Sequence, residues 1–86
     1  MNISVEFTLM PLQLDFEPPI IDFIKALRDS EYRVLENPLS TQIYGEYGAL
    51  MSFLTATIKA SFNGIENVVL NMKIVKSDRS DYESNF

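Results

Sequence analysis

The 86-residue sequence contains no cysteine, no histidine and no tryptophan. Without cysteine there is no disulfide, no thiolate nucleophile and no sulfur-ligated zinc or iron–sulfur site. Without histidine the usual general base and the commonest metal ligand are missing as well. Most hydrolase and metalloenzyme mechanisms lose their central residue, and no enzyme activity is expected. The carboxylates Glu6, Asp15, Glu17, Asp22, Glu36, Glu46 and Glu66 never pair with a second ligand type at a metal-binding spacing, so neither a metal nor another cofactor is expected. The three glycines form neither a GxGxxG nor a GxxxxGK arrangement, which excludes nucleotide binding through those loops. Positive charge is scarce too: seven basic against twelve acidic residues leave a net charge of −5. Phosphate-backbone affinity needs a basic stripe, so nucleic acid is not an expected partner. No apolar run approaches the roughly 18–20 residues of a membrane span. Met1 to Met10 carries Glu6 and no basic region ahead of an apolar stretch, so it reads as a strand rather than a signal peptide. Neither a membrane partner nor export is expected, and a cytoplasmic location is the default.

What the chain does have is 47% hydrophobic and 22% charged residues, the balance of an ordinary folded domain. At this length a domain buries only roughly 60–65% of its extended-chain surface, which makes association with copies of itself a physical expectation.

Ile3, Val5, Phe7 and Leu9 alternate with Ser4, Glu6, Thr8 and Met10, the period-two signature of a half-buried strand that Pro11 ends. Pro18 and Pro19 suit the first turn of a helix, where their missing donors would be unpaired anyway, and Glu17 complements its positive end. Ile20, Phe23, Ile24 and Leu27 then recur at helical spacing opposite Asp22, Lys25, Arg28 and Asp29. Tyr32 to Asn37 and Thr41 to Gly45 read as a hairpin joined through Asn37-Pro38-Leu39-Ser40. A second helix is predicted from about Tyr47 to Asn63, burying Leu50, Leu54 and Ile58 with Phe53, Thr57 and Phe62, and ended by Gly64. Asn67 to Val75 forms the last strand. Residues 77–86 are too polar to repay the entropy of ordering and are expected to be a mobile tail beyond a domain spanning 1–76.

The order strand, helix, strand, strand, helix, strand predicts an α+β, ferredoxin-like βαββαβ sandwich, with two helices on one face of a four-stranded antiparallel sheet. Glu6, Thr8, Met10, Gln42, Tyr44, Val69, Asn71 and Lys73 then fall on the uncovered face.

Glu6, mid-strand on that face, needs either a cation such as Lys73 or a donor-rich ligand. Asn37, Ser40 and Thr41 with Gly45-Glu46 place amide, hydroxyl and carboxylate groups around a hairpin and a helix start. They read either as turn and cap chemistry or as ligand contacts. In the former case Gly45 permits a close approach. Tyr44 and Tyr47 flank Glu46, and rings beside a carboxylate suit a flat cation. The phenylalanines Phe7, Phe16, Phe23, Phe53 and Phe62 are mostly expected inside.

Met10-Pro11-Leu12, the block Pro38-Leu39-Ser40-Thr41-Gln42-Ile43-Tyr44-Gly45-Glu46, and Val68-Val69 with Met72-Lys73-Ile74 together resemble the YkoF-like thiamine-binding proteins, over about Ile3 to Arg79. The loop Gln13 to Pro19 is bulkier and more acidic than the glycine- and serine-containing loop usual there. The resemblance implies a ferredoxin-like subunit that assembles into homodimers or homotetramers. It also implies binding of thiamine or its hydroxymethylpyrimidine part without a catalytic step, as carrier, buffer or sensor. Ser40, Thr41 and Glu46 carry over from the distinctive block as ligand-binding residues. Asn37, Glu6 and Thr8 join them for their polar reach. The alternative is a structural or regulatory homo-oligomeric module with no small ligand, using Met10, Tyr44 and Val69 on the uncovered face.

Overall fold

The computed structural model describes all of residues 1–86. Its six elements are β1 (Asn2–Pro11), α1 (Glu17–Arg28), β2 (Arg33–Glu36), β3 (Thr41–Glu46), α2 (Tyr47–Asn63) and β4 (Val68–Val75). The period-two pattern of β1 does what it predicts, since Ile3, Val5, Phe7 and Leu9 are all buried while Glu6 and Thr8 are only half-buried. β1 lies inside the sheet, whose order is β2-β3-β1-β4 with every neighbouring pair antiparallel. This is the ferredoxin-like βαββαβ arrangement.

Pro18 and Pro19 enter the first turn of α1, and Phe23 and Leu27 drop from its inner face into the core. There the Phe23 ring meets Phe7 edge to face, with centroids 5.6 Å apart. From α2 come Leu50 and Leu54, and Ile43 arrives from β3, all fully buried. Burial along the α2 stripe fades from Leu50 and Leu54 through half-buried Ile58 to Phe62, which is exposed. The expectation that Phe62 lines the core is therefore corrected: the last turn of α2 runs beyond the buried centre. Phe16 is likewise exposed, because it stands in the loop that leads into α1. Gly64 does cap α2, with ordinary right-handed backbone angles.

Register fixes the uncovered face. Glu6 stands opposite Gln42 on one side and Lys73 on the other, Thr8 opposite Asn71, Met10 opposite Val69, and Tyr44 between Ser4 and Arg33. The segment after β4 turns back across one end of this face. Ser4 Oγ donates to the Ser77 carbonyl at 2.7 Å and accepts from the Arg79 N–H at 2.8 Å, and Asp81 pairs with Arg33 of β2. Tyr44 lies between those two anchor points. Burial raises its phenol above the ordinary value, Arg33 opposes that shift, and Asp78 and Glu6 add to it.

Candidate functional site

The pairing of β1 with β3 ends at Phe7 opposite Thr41, so β1 runs on from Thr8 with no strand on that side. The β2–β3 hairpin loop and α1 close the gap into a hollow of about 190 Å³, lined by Phe7, Thr8, Leu9, Ile20, Phe23, Ile24 and residues 37–41. Four of the six expected ligand-binding residues, Thr8, Asn37, Ser40 and Thr41, thus meet in one place. Its base is apolar and its rim carries hydroxyl, amide and free strand-edge groups, the mixture that orients a small flat molecule.

The loop is held in shape by its own side chains. Asn37 Oδ1 accepts from the N–H groups of Leu39 and Ser40, at 2.9 and 3.0 Å, and the Asn37 N–H donates to the Ser40 carbonyl. Ser40 Oγ donates to Glu6 Oε2 at 3.0 Å and accepts from Gln42 Nε2 at 2.7 Å, while Lys73 Nζ stands 3.5 Å from Glu6 Oε1. Glu6 therefore finds its cation in Lys73. It stays outside the hollow and reaches it through Ser40.

Glu46 is not brought to this group. It stands five positions along β3 from Thr41, about 17 Å at strand rise. Its carboxylate accepts from the N–H groups of Gly48 and Ala49 at 2.9 and 3.1 Å, capping α2, and lies 3.8 Å from the terminal ammonium. Those two backbone bonds hold its carboxyl below the ordinary value. Arg28 does the same for Glu36, and Ser80 for Asp78. A carboxyl lowered on folding stabilises above its unfolded value and loses that contribution as pH falls through the folded one. The melting temperature is accordingly expected to decline as pH is taken from about 5 towards 3. Glu46→Ala should melt a few degrees lower than the parent at neutral pH, and the difference should shrink in acid. Thermal melts across this range check it, and a gap that widens in acid would contradict the cap.

A larger hollow, about 660 Å³, lies between α1 and α2. Nothing in the sequence pattern signals it, because it is made by small residues on two separate helices facing a gap rather than by a motif. No group of acidic residues is arranged to hold a metal ion, and no helix is long and apolar enough to cross a membrane.

A family model described as thiamine-binding protein matches residues 5–86. No curated protein matches the sequence. Among solved structures, a Streptococcus pneumoniae protein is similar at 25% identity and a TM-score of 0.83, over 94% of this chain and 92% of that one. A Thermotoga maritima protein named for thiamine biosynthesis/salvage matches with a TM-score of 0.81 at 16% identity, over 90% and 85%. A hypothetical protein of Methanocaldococcus jannaschii matches with a TM-score of 0.74 at 18% identity, over 95% and 84%.

Proposed function

The chain belongs to the thiamine-binding protein family, and from that premise we propose that it binds thiamine, or the hydroxymethylpyrimidine part of thiamine, without transforming it. The observation that carries this reading is the convergence of Thr8, Asn37, Ser40 and Thr41 on one hollow at the open end of the β1–β3 pairing. An aminopyrimidine presents an amino donor beside a ring-nitrogen acceptor. The unpaired edge of β1 beyond Phe7 offers backbone carbonyl and N–H groups that can meet such a pair, and the hairpin supplies hydroxyls. Phe7 and Phe23 give the ring an apolar floor. At about 190 Å³ the hollow suits one ring rather than two, and no carboxylate lines it. The pyrimidine is therefore the recognised part, and the thiazolium stays at the mouth in the field of a net-negative protein.

Glu6 acts as a positioning residue, holding Ser40 and with it the loop. Subunits associate through the part of the uncovered face left free by the returning tail, where Met10 and Val69 are exposed. The function is that of a carrier, buffer or sensor.

Calorimetry with thiamine and with hydroxymethylpyrimidine tests the assignment. Both should bind with similar affinity. Thr41→Val should weaken each by about 3- to 10-fold, the loss of one hydrogen bond, and Glu46→Gln should leave both unchanged. Absence of heat with either compound at millimolar concentration would overturn the proposal. A loss in Glu46→Gln matching that in Thr41→Val would move the site away from the hairpin.

A further inference from the structure

The hollow between the helices belongs to a different part of the molecule from the hairpin site, although Phe23 contributes to the wall of both. It is formed by residues 18–26 of α1 and 53–61 of α2, with Gln13 and Asp15 of the loop before α1 also lining it. Phe23, Phe53 and Ile65 make its floor, and alanines at 26, 56 and 60 leave that floor reachable. Its volume of about 660 Å³ lies within the roughly 300–1,000 Å³ of small-molecule sites.

Three features fix the charge of an occupant. Every ionisable residue that lines the hollow, Asp15 and Asp22, is acidic. The last turn of α2, which forms one wall, carries no basic residue, so the negative end of that helix is uncompensated there. The first turn of α1, which would ordinarily offer N–H donors and positive potential, holds Pro18 and Pro19, which have no N–H to give, and Glu17. An anion finds no basic side chain, whereas a cation finds two carboxylates and a helix C-terminus. Below them lie aromatic rings against which a flat apolar body can pack.

We propose that the groove between α1 and α2 is a second small-molecule site, selective for a flat organic cation. The proposal goes beyond pyrimidine recognition at the hairpin and does not depend on it.

Benzamidine, a flat aromatic cation, and benzamide, its neutral counterpart, are suitable probes. Titrations of the full chain would be followed through the backbone amide resonances. Benzamidine is expected to shift the amides of Ala26, Ala56, Ala60 and Gly64 in a saturable manner. Benzamide should bind there about tenfold more weakly. Asp22→Asn should weaken benzamidine several-fold while leaving benzamide unchanged. Ala60→Phe, at an exposed position that the fold tolerates, should fill the groove and abolish the shifts. Equal affinity for the two probes, benzamidine shifts that do not saturate or lie elsewhere, or full binding by Ala60→Phe would each overturn the proposal. Thiamine binding is read at the Ser40 and Thr41 amides, so its failure and the failure of the groove give different spectra.

Discussion

Leu50→Ala is expected to lower the free energy of unfolding by about 3–5 kcal/mol, the range for truncating a fully buried leucine without collapse of the space it leaves. Leu50 has no exposed surface and sits in the first half of α2, where that helix is held against the core formed with Ile3, Val5, Ile43 and Leu54. A domain of this size has a total stability of the order of 5–15 kcal/mol, so one such change removes a large share. Urea denaturation checks it: the midpoint should fall with little change in slope. Phe62→Ala is the matched comparison, since Phe62 lies on the same helical stripe but is exposed, and it should cost less than about 1 kcal/mol. Equal losses at the two positions would mean that α2 is not docked as described.

Gly45→Ala should be the second large effect, for the opposite reason. A Cβ at Gly45 would lie 2.8 and 2.9 Å from Cδ1 and Cε1 of the Tyr32 ring and 3.5 Å from Leu50 Cβ. An aromatic ring cannot flex at those atoms as the end of a long side chain can, and Tyr32 is itself packed on Phe53, with centroids 5.4 Å apart. Relief requires the Tyr32–Phe53 pair to shift, and overpacking of this kind costs about 1–3 kcal/mol. The better β propensity of alanine over glycine does not offset that. In a Tyr32→Leu background the penalty should shrink by about 1 kcal/mol or more, a coupling that a double-mutant cycle measures. Additive effects would show that the ring is not what excludes a side chain at residue 45.

The contrast between what the sequence discloses and what it conceals follows from distance along the chain. The alternation in β1, the two helical stripes and the turn residues of Asn37 to Ser40 are local signals, and each led to the right element. The close approach at Gly45 was legible for the same reason, from a glycine within a strand. Lys73 beside Glu6 was one of the two readings of that carboxylate, and the sheet order places their strands side by side. At the candidate site the residue types of the hairpin were visible. The cap role of Glu46 was one of its two readings, and the sequence left the choice open: Glu46 turns to its own helix while Ser40 turns to Glu6, which side-chain geometry decides rather than spacing. Phe62 misled because periodicity reports which face a residue is on and not how far the helix extends past its neighbours. The groove between the helices escaped altogether, since a gap is defined by atoms that are missing from alanine and glycine.

The two hydrogen bonds that join Ser4 to Ser77 and Arg79 link residues more than 70 positions apart, and they bear on how the protein is made. β1 leaves the ribosome before both of the strands that flank it, and β4 ends only at Val75. A nascent chain shorter than that holds an apolar strand with one side open, waiting for a partner that has not been synthesised. Folding dominated by such distant pairings is slow compared with that of helical bundles and leaves hydrophobic edges unprotected in the interval. Here the interval closes only once residues 77–79 have emerged and swung back onto β1.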